Sequence, residues 1–315
     1  MTPIPRLRSE SRTCKLIPKN NSPMKIAHAK ARIVARFGQT CRLVTSSNEI
    51  IDCHIKKNIP APVTGDWVEW EQSRRLVTAV LPRQSLLERM DKTGRCKPLA
   101  ANMDQIMIVS AYKSPAIDTL LIDRYLLFSE NQGIQAILVF NKHDLNSSSK
   151  PMSGIMNVYE NLGYPCIQCS TVSGLNLDRL KGMITHHTTI LVGQSGVGKS
   201  SILNAIAPEV QAPTSVLSAG IQQGQHTTTV ATLYPVGNGG NVIDSPGVRQ
   251  FTPCIQDWKA VEKGFIEIYQ QAQYCRFNNC RHLQEQGCAV IESVRNNEIS
   301  PARLDSYHHF LKKLS

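Results

Sequence analysis

"LVGQSGVGKSSILNAI", residues 191–206, is the stretch on which the fold turns. An apolar strand end runs into a glycine-rich turn, then into Lys199, Ser200 and a helical pattern. Gly193-x4-Gly198-Lys199-Ser200 has the spacing of a phosphate-binding loop, in the strand–loop–helix setting the motif requires. Glycines let successive N–H groups from Gly193, Gln194, Ser195, Gly196, Val197 and Gly198 turn inward around a β-phosphate with no side chain in the way. Lys199 is placed to reach the β- and γ-phosphates. The Ser200 hydroxyl is placed to ligate Mg²⁺, with Ser201 beside it at the helix start.

Outward from this loop, "DQIMIVSAY" (104–112), "IQAILVFNKHDL" (134–145), "YPCIQCST" (164–171) and "TTILVG" (188–193) read as strands. "IDTLLIDRYLLFSENQG" (117–133) reads as a helix ending at a glycine, and "TLYPV" (232–236) and "NVIDSPG" (241–247) continue the strands. This alternation predicts a mostly parallel α/β sheet with helices on both faces. Upstream, "ARIVARFG", "TCRLVTS", "IIDCHIKK", "GDWVEWE" and "RLVTAVL" are short runs punctuated by Gly, Asn and Pro. They predict a five-stranded barrel of the oligonucleotide-binding (OB) type, with Arg32, Arg36, Arg42, Lys56 and Lys57 on basic outward faces. After Phe251 no strand pattern returns, and helical segments surround a Cys/His cluster. The expected organisation is a multidomain α/β chain. It comprises a flexible basic arm (1–24), an OB-fold barrel (25–92), a P-loop nucleotide domain (93–252) and a helical zinc-binding unit (253–315).

A second nucleotide element, Asn141-Lys142-His143-Asp144, closes the strand at 134–145. The Asp144 carboxylate can accept two N–H bonds, from guanine N1 and the 2-amino group, and adenine offers neither. Asn141 ties the loop together and the Lys142 stem lies along the base plane. Cys169, Ser170 and Thr171 on the next strand offer backbone N–H groups to the guanine O6. Downstream, Asp244 of "DSPG" is placed to hold Mg²⁺ directly or through water, and the Gly247 N–H to sense a γ-phosphate. From "GQHTTT" (224–229), Thr228 or Thr229 completes the Mg²⁺ shell. The order is base loop, phosphate loop, switches, a rotation of the usual arrangement.

Composition sets the frame. The 315 residues are 41% hydrophobic and 19% charged, with a formal charge of +11, which suits a globular protein. Residues 1–92 hold seventeen Lys and Arg against eight Asp and Glu, so an excess of nine sits in the first third, as a polyphosphate partner demands. No apolar run is long enough to span a bilayer and no secretory signal is read, so a cytoplasmic chain without membrane contact is expected. Ten cysteines in such a chain argue against a disulfide framework. Cys275-x4-Cys280-x-His282-x5-Cys288 supplies three thiolates and one imidazole, the donor set of one closed structural Zn²⁺ site. Cys166 and Cys169 are read as structural, and Cys14, Cys41, Cys53, Cys96 and Cys254 show no partner pattern.

"GQSGVGKSS", "GQHTTT", "DSPGVRQF" and the C-terminal Cys/His cluster, in this order, resemble the circularly permuted GTPases of the RsgA/YjeQ family. The resemblance runs from the barrel to the last helices. It implies a GTPase that acts in maturation of the small ribosomal subunit, bound to that subunit and its rRNA, with GTP and GDP as ligands and turnover raised by the subunit. A monomer is expected. Val248 follows Gly247 where many GTPases carry a water-orienting glutamine, so slow unassisted hydrolysis is expected. His226 is the nearest candidate to align water, with Lys199 and Thr229 beside it in the catalytic set; Gln225 and Arg249 are weaker candidates. The competing reading is an RNA-binding module that keeps GTP as a structural ligand.

Overall fold

Apolar–polar alternation in the first third closes a barrel. Strands β1 (His28–Phe37), β2 (Thr40–Thr45), β3 (Ile50–Ile55), β4 (Trp67–Glu71) and β5 (Leu76–Val80) pair in the order β1-β2-β3-β5-β4. β4 returns to β1 and removes the open edges. Ala31, Ile33, Leu43, Val68, Trp70 and Val77 fill the interior. The computed structural model describes residues 28–91, 93–145, 150–210, 230–237, 239–245, 251–255 and 257–314. The arm at 1–24 therefore lies outside the described residues, and so does Cys14.

A hairpin, β6 (Leu86–Met90) and β7 (Cys96–Ala101), follows the barrel and leads into the sheet. The sheet contains β8 (Gln105–Ala111), β9 (Gln135–Asn141), β10 (Cys166–Gln168), β11 (Thr188–Val192), β12 (Thr232–Val236) and β13 (Gly240–Asp244). Their spatial order is β10-β9-β8-β11-β13-β12, parallel throughout except for the edge pair β12–β13. Helices α1 (Thr119–Gln132), α2 (Lys150–Asn161), α3 (Leu177–Ile184) and α4 (Lys199–Ile206) cover the sheet. Both faces are buried, which is why β8 and β9 are apolar runs rather than alternating ones. Ile106, Ile108, Leu138 and Phe140 face α1 and α2, while Met107, Val109, Ile137 and Val139 face α3 and α4. Each such side chain contributes about 1.5–3 kcal/mol by leaving water.

Helices α5 (Trp258–Lys263), α6 (Ile266–Ala272), α7 (Ala289–Arg295) and α8 (Pro301–Lys312) form the last unit. Its core joins Val261, Phe265, Ile268, Tyr307 and Phe310 to Leu127 of α1, so the unit is docked on the sheet's helical layer. At the centre of the junction Arg303 is 2% exposed and pairs with Asp123 of α1 and Glu267 of α6, both at 2.6 Å. The Tyr159 hydroxyl donates to the same Asp123 at 2.9 Å.

Two expectations need correction. Arg32 is not on an outward face; it is 7% exposed and donates to Gly65 O, Asn102 O and Thr188 Oγ1 at 3.0–3.2 Å, fastening barrel to sheet. A fork of N–H donors is suited to three acceptors converging from three segments, and strand alternation alone does not reveal that geometry. Arg42 faces out but is paired with Asp52 at 2.9 Å, while Lys56 and Lys57 are exposed. Second, Cys96 and Cys254 are bonded as a disulfide across a sequence separation of 158. That pairing is invisible in spacing because the fold alone brings the two ends of the sheet domain together.

Candidate functional site

Parallel strands place all their carboxyl ends on one edge, and the loops that carry chemistry leave from that edge. Tyr112, Asn141, Cys169, Gly193 and Asp244 stand at or just beyond the ends of β8, β9, β10, β11 and β13. Ala111 is in register with Asn141, and Leu191 with Asp244. Asn141 and the phosphate loop are thus neighbours in space although 52 positions separate Asn141 from Gly193 in the chain.

The phosphate loop is shaped by two close approaches. Gly193 has φ +135°, and a Cβ there would collide with the Val109 carbonyl. Gly198 has φ +96°, and a Cβ there would collide with Asn141 Nδ2. Only glycine fits either position. Lys199 opens α4 and is 7% exposed; its Nζ donates to Gly193 O and Gln194 O, both at 2.9 Å, so the ammonium is strapped across the loop. Ser200 Oγ lies 3.4 Å from Asp244 Oδ2. Two oxygens of an octahedral Mg²⁺ with bonds of about 2.1 Å stand roughly 3 Å apart, so this pair suits that ion. Burial lowers the Lys199 pKa and raises that of Asp244, and in each case the charge of the other works against the shift. The pair is thereby poised for ligands that supply compensating charge.

The base-side loop is sewn to the phosphate loop. Asn141 is 1% exposed and its Nδ2 donates to Val197 O at 2.9 Å. Lys142, with φ +60°, donates from Nζ to Ser114 O in the loop between β8 and α1. His143 meets the Tyr112 ring edge-on at 5.2 Å. Asp144 Oδ1 accepts the Ser170 hydroxyl at 2.6 Å, and that hydroxyl in turn accepts the Val172 and Ser173 amides. Of the three amides expected to face a guanine O6, that of Cys169 donates to Phe140 O and that of Ser170 to Leu175 O, while Thr171 sits in the turn beyond.

Several contributors were not read from sequence. Ser114 anchors Lys142, and Asp118 caps α1 through Leu121 N at 2.9 Å while accepting Gln194 Nε2 at 3.4 Å. The signal for Asp118 was present, an Asp immediately before an apolar helical run. His226, Thr228, Thr229 and Gly247, with the neighbouring Gln225, Val248 and Arg249, lie outside the described residues.

The C-terminal cluster is a second site. One donor atom from each of Cys275, Cys280, His282 and Cys288 lies within 4.8 Å of the others. Cys275 Sγ and Cys288 Sγ are 3.9 Å apart, and His282 Nδ1 lies 3.6 and 3.4 Å from them. A tetrahedral Zn²⁺ with Zn–S bonds of about 2.3 Å has edges near 3.8 Å, so the donors fit that ion. His282 Nε2 lies 3.0 Å from Glu262 Oε2, and the carboxylate fixes the tautomer that leaves Nδ1 for metal. Glu262 was not anticipated, since it is twenty residues from the cluster's histidine.

A phosphate-loop pattern over Gly193–Ser200, an Asn-Lys-x-Asp loop that precedes it in the chain, and one sheet that carries both are the parts of a circularly permuted GTPase. Known proteins agree. The family model described as RsgA GTPase matches residues 80–253. The chain is 41% identical over 288 residues to the Small ribosomal subunit biogenesis GTPase RsgA of Pseudomonas aeruginosa, covering 90% of this chain and 85% of that protein. It is 42% identical over 293 residues to the protein of the same name from Chromohalobacter salexigens, covering 90% and 86%. Among solved structures, YjeQ from Thermotoga maritima aligns with a TM-score of 0.72 and 27% identity, covering 91% of this chain and 99% of that one. YloQ, described as a circularly permuted GTPase, aligns with a TM-score of 0.68 and 25% identity over 91% and 95%. The chain belongs to the RsgA GTPase family, and it is a GTP hydrolase.

Proposed function

We propose that this GTPase binds the small ribosomal subunit and its rRNA, hydrolyses GTP to GDP and phosphate late in that subunit's maturation, and is stimulated by the subunit it serves. The names of its relatives support the partner. The basic excess in residues 1–92 supports contact with RNA through the barrel and the arm before it. The observation that carries the reading is the Asn141–Val197 hydrogen bond at 2.9 Å, which fixes the base loop against the phosphate loop as one guanosine triphosphate requires.

In this reading Asp144 accepts from guanine N1 and the 2-amino group, and the amide of Thr171, with Cys169 and Ser170 shaping its turn, faces O6. Lys199 and the amides of 193–198 hold the phosphates. Ser200, Asp244 and Thr228 or Thr229 hold Mg²⁺, Gly247 senses the γ-phosphate and His226 aligns the attacking water. Zn²⁺ on Cys275, Cys280, His282 and Cys288 folds the C-terminal unit. The protein works as a cytoplasmic monomer; among the described residues no helix is long and apolar enough to cross a membrane.

Phosphate release titrated with purified small subunits tests this reading, with His226→Ala beside the parent. Turnover of the parent rises and saturates with added subunits, and His226→Ala loses about 10²-fold of the stimulated rate while still binding GTP. A rate indifferent to subunits overturns the proposed partner. An unimpaired His226→Ala removes that residue from catalysis.

A further inference from the structure

The loop from β8 to α1, residues 112–118, belongs to neither nucleotide motif, yet it touches both. At its start Tyr112 N donates to Asn141 O at 3.1 Å, and the Ser114 carbonyl accepts the Lys142 ammonium. Pro115 lies against the phosphate loop, its Cδ 3.8 Å from the place that a Cβ on Gly196 would take. At its end Asp118 uses its two carboxylate oxygens for two different tasks. Oδ1 accepts Leu121 N at 2.9 Å and caps α1, while Oδ2 accepts Gln194 Nε2 at 3.4 Å.

The second task bears on Lys199. Gln194 O and Gly193 O each accept the Lys199 ammonium at 2.9 Å. An ammonium carries three donors. Two are spent on the phosphate loop, and the direction of the third is set by where those two carbonyls stand. Packing alone does not hold this part of the loop. A cavity of about 10 Å³ lies beside it, lined by Ser110, Asp118, Gly193 and Gln194 together with apolar side chains of β8 and α1. Gln194 therefore has room to shift, and Asp118 is the group that ties its side chain. At 3.4 Å that tie is a long hydrogen bond, and the adjoining space lets it shorten. Lys199 is buried, so water does little to replace an acceptor that moves away.

We infer that Asp118 is a positioning residue for nucleotide binding: by holding Gln194 it fixes the carbonyl that aims the Lys199 ammonium at the phosphates of the ligand. The carboxylate touches no phosphate itself. Its effect passes through one side-chain hydrogen bond, one backbone carbonyl and one ammonium. GDP and GTP both carry the β-phosphate that Lys199 reaches, so losing the tie weakens both to the same degree. The inference rests on reading Gly193–Ser200 as the phosphate loop, and it adds to that reading a residue 76 positions upstream of Gln194.

The test uses Asp118→Ser and Gln194→Ala in the full chain. Serine caps a helix as well as aspartate does but has one oxygen, so the first variant keeps α1 capped and gives up the tie. The second gives up the same tie from its other end and leaves the backbone carbonyl in place. Calorimetry with GDP and with a non-hydrolysable GTP analogue is run on the parent, both single variants and the double variant, beside steady-state turnover without subunits. In each single variant the Kd of both nucleotides rises about fivefold or more. In Asp118→Ser the loss of turnover falls on KM rather than on kcat, which marks an interaction shared by the bound ground state and the transition state. The double variant loses no more than either single one, since both remove one bond. Parental affinities in Asp118→Ser, losses that add in the double variant, or a fall in kcat at unchanged KM each overturn the inference. Lys199→Ala separates the two readings. If it binds GDP as the parent does, the phosphate-loop assignment falls; if it loses GDP while both tie variants bind normally, the positioning role alone falls.

Discussion

Asp144 shows how far a single residue can be read. Its place after Asn141 and Lys142 is what proposes it as the base reader, and an acceptor-only carboxylate is the group that a preference for guanine calls for. What the chain order hides is the Ser170 hydroxyl at 2.6 Å, which holds the carboxylate from the loop after β10, 26 residues away. Asp144→Asn exchanges an acceptor for a group that also donates, and charged hydrogen bonds are worth about 1.5–3 kcal/mol each. GTP affinity therefore falls by roughly tenfold or more, while xanthine nucleotides, whose C2 carbonyl accepts from the new amide, gain. Calorimetric titration with GTP and XTP measures both; a variant that keeps its preference for GTP removes Asp144 from base recognition. Lys199 and Ser200 were legible for a simpler reason, since spacing within one loop is also proximity in space.

At the scale of elements, periodicity carried most of the information. The middles of β8, β9 and β11 are continuous apolar runs because helices cover both faces, whereas the barrel strands β2 to β5 are five or six residues long and alternate more. The hairpin β6–β7 was not anticipated: "LLERM" and "CKPLAA" carry weak alternation, and the hairpin is completed by tertiary contacts such as Met90 N to Thr252 O. In the last unit the Cys/His spacing was decisive, since four soft donors within fourteen residues leave a polar stretch little else to fold around. His282→Ala lowers bound zinc well below one per chain and speeds amide exchange in α5 to α8. Glu262→Ala keeps all four donors yet weakens zinc about 10–100-fold, because the imidazole loses the carboxylate that orients it. Metal content after dialysis against a graded chelator reads both effects; a full zinc equivalent in His282→Ala excludes that ligand.

Across the whole molecule the units are held together by polar groups buried where they meet. Arg303 is the clearest case, with Asp123 and Glu267 each at 2.6 Å and the Phe265 ring 4.4 Å from its guanidinium carbon. Arg303→Met leaves two carboxylates buried without their cation, a change that costs about 3–5 kcal/mol. Urea unfolding of the variant shows this loss, and the triple change Arg303→Met, Asp123→Asn, Glu267→Gln recovers most of it. Equal stability of the single variant and parent would mean that the junction is held by its apolar contacts alone. Arg32 performs the matching task between barrel and sheet, and sequence reading misplaced it as a surface base.

Sequence reading reached furthest where one short segment contains the whole pattern: the phosphate-loop spacing, the Asn-Lys-x-Asp element, the Cys/His donors and the strand and helix periods. Their meaning depends on covalent neighbours a few residues apart, which spacing records directly. The fold alone decided which distant groups share a location. Arg32 meets Thr188, Asn141 meets Val197, Ser170 meets Asp144, Arg303 meets Asp123, and Cys96 meets Cys254. Each of these contacts forms only once the sheet, the barrel and the helices have packed, so no local pattern marks it.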